Sequence, residues 1–256
     1  MKHLTNIRAL GALVLLVAVS AAPPAARAAE VQVLSAGAMR SIVTDLGAAF
    51  EKETGHTLKF SFATVGQIKA KLADATPVDV VIMTDDAMRE MARQGAVVEG
   101  SWTAIGRTGI GVAVRDGAPK PDIGSPEALK QALLATKSLT YIDPAQGGTS
   151  GIHFAGVLQK LGIADAVKPK TTLVPGGYPA ELVAKGDVEM VVHQISEIIP
   201  VPGVKLVGEL PAQFQRYTVY VAVPMKDSKP VQDFIAHVTS PQARERLAKA
   251  GYTAPQ

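Results

Sequence analysis

SAGAMRSIVTDLGAAFEKETGHTLKFSFATVGQIKAKLADATPVDVVIMT, Ser35 to Thr84, is the stretch whose periodicity decides the fold. It overlaps the end of an apolar run, VQVLSA (Val31 to Ala36), which predicts a buried strand. Ile42, Val43, Leu46 and Phe50 then recur at helical spacing, and Gly55 stands where that helix has to stop. TLKFSF alternates as a strand, Ile68 and Leu72 mark a short helix, and VDVVIMT is a continuous apolar run. DDAMREMARQG follows, with Asp at its start and Gly95 just past its end. Strand and helix alternating three times predict an α/β fold with a parallel sheet covered on both faces.

Beyond Trp102 the texture changes. GRTGIGVAVRDG predicts one glycine-punctuated strand, and Ser125 caps a helix with Pro126 at its first position and Leu129, Leu133 and Leu134 on its face. Alternation resumes with SLTYI, DPAQGGTSGIHF, KTTLVPGG, PAELVAKGD and VEMVVH. A long strand, RYTVYVAVP, leads into KPVQDFIAHVTS and SPQARERLAKAG, the latter with Ser240, Pro241 and Gly251 as cap, first residue and stop. The β-rich segments near 105–115 and 216–224 are where the chain can pass between two units. We expect lobe 1 from 29–108 and 216–256, lobe 2 from 109–215, and a ligand cleft between them.

The first 28 residues read as a leader rather than as fold. Lys2 and Arg8 precede the apolar run Ala9 to Ala22, which is short for a bilayer, and Ala26-Arg27-Ala28 forms an A-x-A site. This predicts a signal peptide cleaved near Ala29, export to the periplasm, and no stable membrane insertion afterwards. The chain has no Cys, so neither a lipid attachment point nor a disulfide framework is available. Of 26 Lys and Arg, three lie in the leader, which leaves 23 against 23 Asp and Glu. No basic stripe alternates with aromatics, so a nucleic-acid partner is not expected. Any anion has to be met by a local site.

Five strand-to-helix loops are the places to look: SAGAMRS, FATVGQ, MTDD, DPAQGGTSGIH and VVHQISE. They supply the candidate ligand-binding residues Gly37, Ala38, Met39, Arg40, Thr64, Gly66, Gln67, Thr84, Gly148, Thr149, Ser150, Gly151, His153, His193 and Gln194. Small and amide residues at helix starts suit anion recognition by backbone N–H groups. The same residues also serve as plain helix caps, and Ser150 is the expected N-cap of its helix. By residue type Met39, Met88 and Met91 read as core fillers. His56, just after a helix stop, is expected to be solvated, and His237 to be structural or exposed. His153 and His193 each abut a strand end or helix start and are the two histidines expected to face the cleft.

Enzyme motifs are thin. The sequence holds no G-x-S-x-G, no H-E-x-x-H, no phosphate-loop Lys and no dinucleotide fingerprint. No cofactor and no metal ion is expected.

The Ser35–Thr84 stretch resembles the N-terminal half of the periplasmic molybdate-binding proteins of ABC importers, and SPQARERLAKAGY extends the resemblance to the C-terminus. It implies the type II periplasmic-binding-protein fold: two α/β lobes joined by a two-segment crossover. It also implies a monomer that captures a small anion and presents it to the membrane subunits of an ABC importer. This sequence departs from the family where Ala38 replaces a first-loop Ser, where Thr64-Val65-Gly66 replaces a Ser-rich loop, and where His193 replaces a late Tyr. Each missing hydrogen bond to a charged ligand weighs about 1.5–3 kcal/mol, which argues for an organic carboxylate rather than molybdate. The resemblance includes an enzymatic branch, aconitate isomerase, which interconverts cis- and trans-aconitate without a cofactor. In that alternative His153 or His193 is the base, and Arg40 with the Gly148–Gly151 helix start holds carboxylates.

Overall fold

The computed structural model describes residues 28–255. The leader therefore lies almost wholly outside the described residues, and no helix among the latter is long and apolar enough to cross a membrane.

The strands are β1 Glu30–Ala36, β2 Thr57–Ala63, β3 Val80–Thr84, β4 Thr103–Thr108 and β5 Ile110–Arg115, then β6 Leu139–Ile142, β7 Thr171–Val174, β8 Met190–Gln194, β9 Val204–Glu209 and β10 Thr218–Pro224. The helices are α1 Arg40–Thr54, α2 Val65–Ala73, α3 Asp85–Arg93, α4 Pro126–Ala135, α5 Thr149–Lys160, α6 Ala164–Val167, α7 Ala180–Lys185, α8 Ile195–Ile198, α9 Lys229–Val238 and α10 Pro241–Lys249. The strands form two five-stranded sheets, ordered β2-β1-β3-β10-β4 and β7-β6-β8-β5-β9.

Each sheet is parallel over three strands and mixed beyond them. β10 runs antiparallel to β3 and β4, and β5 runs antiparallel to β8 and β9. The parallel sheet expected from the first third is found in β2-β1-β3, and each half then adds one strand that enters from the other half and so arrives in the opposite direction. For the same reason GRTGIGVAVRDG is two strands: β4 is the edge of one sheet, and β5, starting after Gly109, runs between β8 and β9 in the other. Gly109 sits at the break. A Cβ there would stand 2.9 Å from Gln215 Nε2, and the Gln215 amide holds both Ile110 N–H and Ile110 C=O at 2.9 Å. One side chain thus ties the outgoing crossing to the returning one. β9, an exposed edge strand, carried no recognised signal.

Local chemistry accounts for most element ends. Gly55 closes α1 in the left-handed conformation at φ 73°, which costs glycine little. Thr64 and Gln67 form a reciprocal capping box at the start of α2. Thr84, Ser125 and Ser240 cap α3, α4 and α10 through their hydroxyls. On α4, Leu129 and Leu133 are buried but Leu134 is 37% exposed, one residue past the apolar stripe.

One core lies around the first sheet, with Phe50, Ile68, Ile82, Met83 and Phe234 at its centre. The second sheet is covered on both faces: Ile110, Val112 and Val192 pack on one side with Phe154, and Ala113 and Val191 on the other with Val183. That split follows the period of two along β5 and β8. His193, two residues beyond Val191 on the same face, stands past that core at the carboxyl end of β8.

Candidate functional site

The carboxyl ends of β1, β2, β6 and β8 converge between the two halves on a cleft of about 360 Å³. Its walls come from Ala36–Ala38 and Arg40, Phe62–Val65 and Gln67, Gly148–Ser150, Pro175–Gly177, and His193, Gln194, Glu197 and Tyr220, with Ile142 beneath. This is the edge at which open α/β sheets receive ligands.

The cleft is shut across one side. Thr64 Oγ1 donates to Gln146 C=O, Gly66 N–H donates to Gly147 C=O at 3.3 Å, and the amides of Gln67 and Gln146 meet at 3.4 Å. Gly66 and Gly147 are in backbone contact: a Cβ on Gly66 would stand 2.9 Å from Gly147 Cα. Gly66 therefore closes the cleft rather than lining it. Gly148 and Gly151 are needed for packing on β6, since Cβ atoms there would meet Ile142 Cγ2 at 2.3 Å and Ile142 C=O at 2.1 Å.

The start of α5 differs from the sequence reading. Its N-cap is Gly148, with no side-chain cap, and Ser150 lies inside the first turn. The first N–H groups of an uncapped helix have no intrahelical partner, and Gly148, Thr149 and Ser150 line the cleft where α5 begins. Ser150 Oγ is spent instead on His193 Nδ1, at 3.0 Å.

The floor of the cleft is a buried polar cluster. His193 and Glu197 are 2% and 5% exposed. His193 Nε2 lies 3.1 Å from Glu197 Oε2. The carboxylate sits off the ring's N–H direction, so the contact is electrostatic rather than an aligned hydrogen bond. The Glu197 oxygen beside Nε2 favours the tautomer with its proton there, in which Nδ1 accepts from the Ser150 hydroxyl. Gln194 Nε2 donates to Tyr220 OH at 2.8 Å. Burial, with Tyr252 and Glu197 nearby, holds the Tyr220 hydroxyl well above its usual range, so it stays a neutral donor and acceptor.

Arg40 is the one Lys or Arg among the lining residues. Its guanidinium stands 4.3 Å over the Phe62 ring and 6.0 Å from that of Tyr178, on the opposite half. Burial first, then the Glu197 charge, pushes the Tyr178 hydroxyl up to about 12.

Of the sequence-predicted residues, Gly37, Ala38, Arg40, Thr64, Gln67, Gly148, Thr149, Ser150, His193 and Gln194 line the cleft. Met39, Gly66, Thr84, Gly151 and His153 do not. Met39 is fully buried in the first core, and the Thr84 hydroxyl caps α3. His153 is the main correction: its Nε2 is 2.7 Å from Phe214 C=O, on the side of α5 away from the cleft. His56 is not freely solvated, since its Nδ1 accepts Ala29 N–H at 3.1 Å. His237 packs edge-on against Phe50. Among the described residues no three His, Asp or Glu gather in a metal-holding group.

Sequence reasoning missed Glu197, Tyr220, Phe62 and the Pro175–Gly177 turn. Glu197 had a readable signal, the four-residue spacing from His193 across a strand end into a helical turn. Tyr220 had none, because it reaches the cleft through the long-range insertion of β10.

Two α/β halves closing on a desolvated polar cleft, with two chain crossings between them, define a type II periplasmic-binding-protein fold. Residues 31–253 match the family of bacterial extracellular solute-binding proteins, and the chain belongs to that family. It is 34% identical over 194 residues to a protein named aconitate isomerase from Pseudomonas sp, covering 73% of this chain and 72% of that one. It is 28% identical to the molybdate-binding protein ModA of Azotobacter vinelandii, covering 89% and 91% of the two chains. A solved structure of the Azotobacter vinelandii periplasmic molybdate-binding protein superposes with a TM-score of 0.72 at 21% identity, over 88% of this chain and all of that one.

Proposed function

We propose that this protein is a periplasmic solute-binding protein that closes its two halves over a small organic carboxylate. After export it presents that ligand, as a monomer, to the membrane subunits of an ABC importer. The observation that carries the reading is the composition of the closed cleft. Arg40 and the uncapped start of α5 offer an anion one cation and free N–H groups, in a space far larger than one small tetrahedral ion fills. Few hydroxyls remain for a compact oxyanion: Ala38 lines the first loop, the Thr64 and Ser150 hydroxyls are already engaged, and Thr149 alone adds one at the α5 start.

A thermal-shift series with di- and tricarboxylates, molybdate and sulfate tests it. A carboxylate at a hundred times its Kd stabilises the fold by about 2.7 kcal/mol, a readable shift. A series in which molybdate shifts the melting point and no carboxylate does sinks the reading.

A second reading rests on a specific observation, the Ser150–His193–Glu197 cluster. A buried acid beside an imidazole in a ligand cleft is suited to moving a proton between two carbons of a carboxylate, as the relative named aconitate isomerase suggests. In it the Ser150 hydroxyl turns away from His193 Nδ1, which then removes and returns the proton, Glu197 balances the imidazolium, and Arg40 holds a carboxylate. Proton NMR of trans-aconitate incubated with the protein tests this: appearance of the cis isomer, lost in His193→Gln, supports it, and no turnover rejects it.

A further inference from the structure

Glu197 is the one carboxylate among the residues lining the cleft, and nothing in the capture of an anion calls for it. It is 5% exposed, and its Oε1 lies 3.4 Å from where a Cβ on Gly37 would stand, at the first loop of the cleft. A buried carboxylate is acceptor-only and costly to desolvate, so it is kept where a donor meets it. His193 Nε2 approaches Oε2 without aligning on it. Beside it the Gln194 amide, 2% exposed, spends its N–H on Tyr220 and leaves Oε1 without a donor.

An anion brings only acceptors unless it also carries an O–H group. A fully deprotonated oxyanion placed in this cleft sets oxygen against the Glu197 oxygens. A ligand with both a carboxylate and a hydroxyl satisfies both ends: carboxylate to Arg40 and the α5 start, hydroxyl proton to Glu197. We infer that Glu197 is a specificity-determining residue that selects hydroxycarboxylates over carboxylates lacking a donor and over fully ionised inorganic oxyanions. The inference rests on the proposed capture of an organic carboxylate and narrows its ligand class.

Matched pairs differing by one hydroxyl test it: malate against succinate, and citrate against tricarballylate, with sulfate as the donor-free control, all by isothermal titration calorimetry. For the wild type we expect the hydroxylated member of at least one pair to bind about tenfold tighter or more, and sulfate not to bind. Glu197→Gln keeps the shape and adds a donor. It should shrink that preference to about threefold or less and admit sulfate or the non-hydroxylated partner. Should Glu197→Gln fail to fold by circular dichroism, Glu197→Asp, which withdraws the carboxylate by one methylene, should likewise reduce the preference. Wild-type binding of both members within twofold, or an unchanged preference in the folded variant, overturns the assignment of Glu197 while leaving carboxylate capture standing. If none of the four carboxylates binds the wild type, the carboxylate reading itself fails, and the role of Glu197 falls with it.

Discussion

His153 and His193 are the same side chain on two strand-to-helix segments of one half, DPAQGGTSGIH and VVHQISE, and they have opposite fates. His193 is the fourth residue of β8, on the same face as Val191 but at the carboxyl end of the strand, past the core, where Ser150 and Glu197 contact it. His153 follows Ser150 by three residues on α5, with Gly151 and Phe154 facing β6 and the core. Its ring therefore points sideways to Phe214 C=O. The difference teaches that closeness to a cleft along the chain counts for little. A strand delivers every second side chain to one face, whereas a helix turns 100° per residue and spends its first turn on backbone.

The largest expected effect comes from breaking the His193 side of this comparison. His193→Ala leaves Glu197 and Ser150 without their shared partner, and we expect a loss of about 2 kcal/mol in stability and at least tenfold in ligand affinity. Urea denaturation and calorimetry on the same sample read both. An affinity within twofold of wild type removes His193 from the site.

Next in size is closure. Gly66→Val drives side-chain atoms into Gly147 and should hold the halves apart, lowering affinity about tenfold with little change in the melting point of the unliganded protein. Small-angle scattering should then show no compaction on adding ligand. A variant that still compacts shows that the Gly66–Gly147 contact does not govern closure.

The smallest effect is expected for His153→Ala. It removes one partly exposed hydrogen bond to Phe214 C=O, worth about 1 kcal/mol of stability, and leaves affinity within twofold. A large loss of binding there erases the contrast between the two histidines.

Much of the scaffold was readable from local pattern. Ser35–Thr84 displays its strands and helices because a buried parallel strand needs an unbroken apolar run and a surface helix an apolar stripe. The caps at Ser125 and Ser240 and the stop at Gly55 are local chemistry and were equally visible. The site was legible only as a set of loops. Within one loop, GGTS, the sequence could not tell a cap from a hydrogen bond, and Ser150 turned out to serve His193 43 residues away. Gly66 carried a sequence expectation of ligand contact, but its missing Cβ answers to another backbone, Gly147.

By itself, then, the sequence determined the α/β class, most element ends and the lack of cysteine, because these depend on residue type or on residues within a turn or two of one another. Only the tertiary structure decided that β5 and β10 run against their sheets and that Gly66 is a contact point of the closed halves. It also decided that the cleft floor joins Ser150, His193 and Glu197 above Gln194 and Tyr220. Those arrangements are made by segments far apart in the chain, whose meeting is set by the two crossings at Gly109–Ile110 and Gln215 and by the packing they enforce.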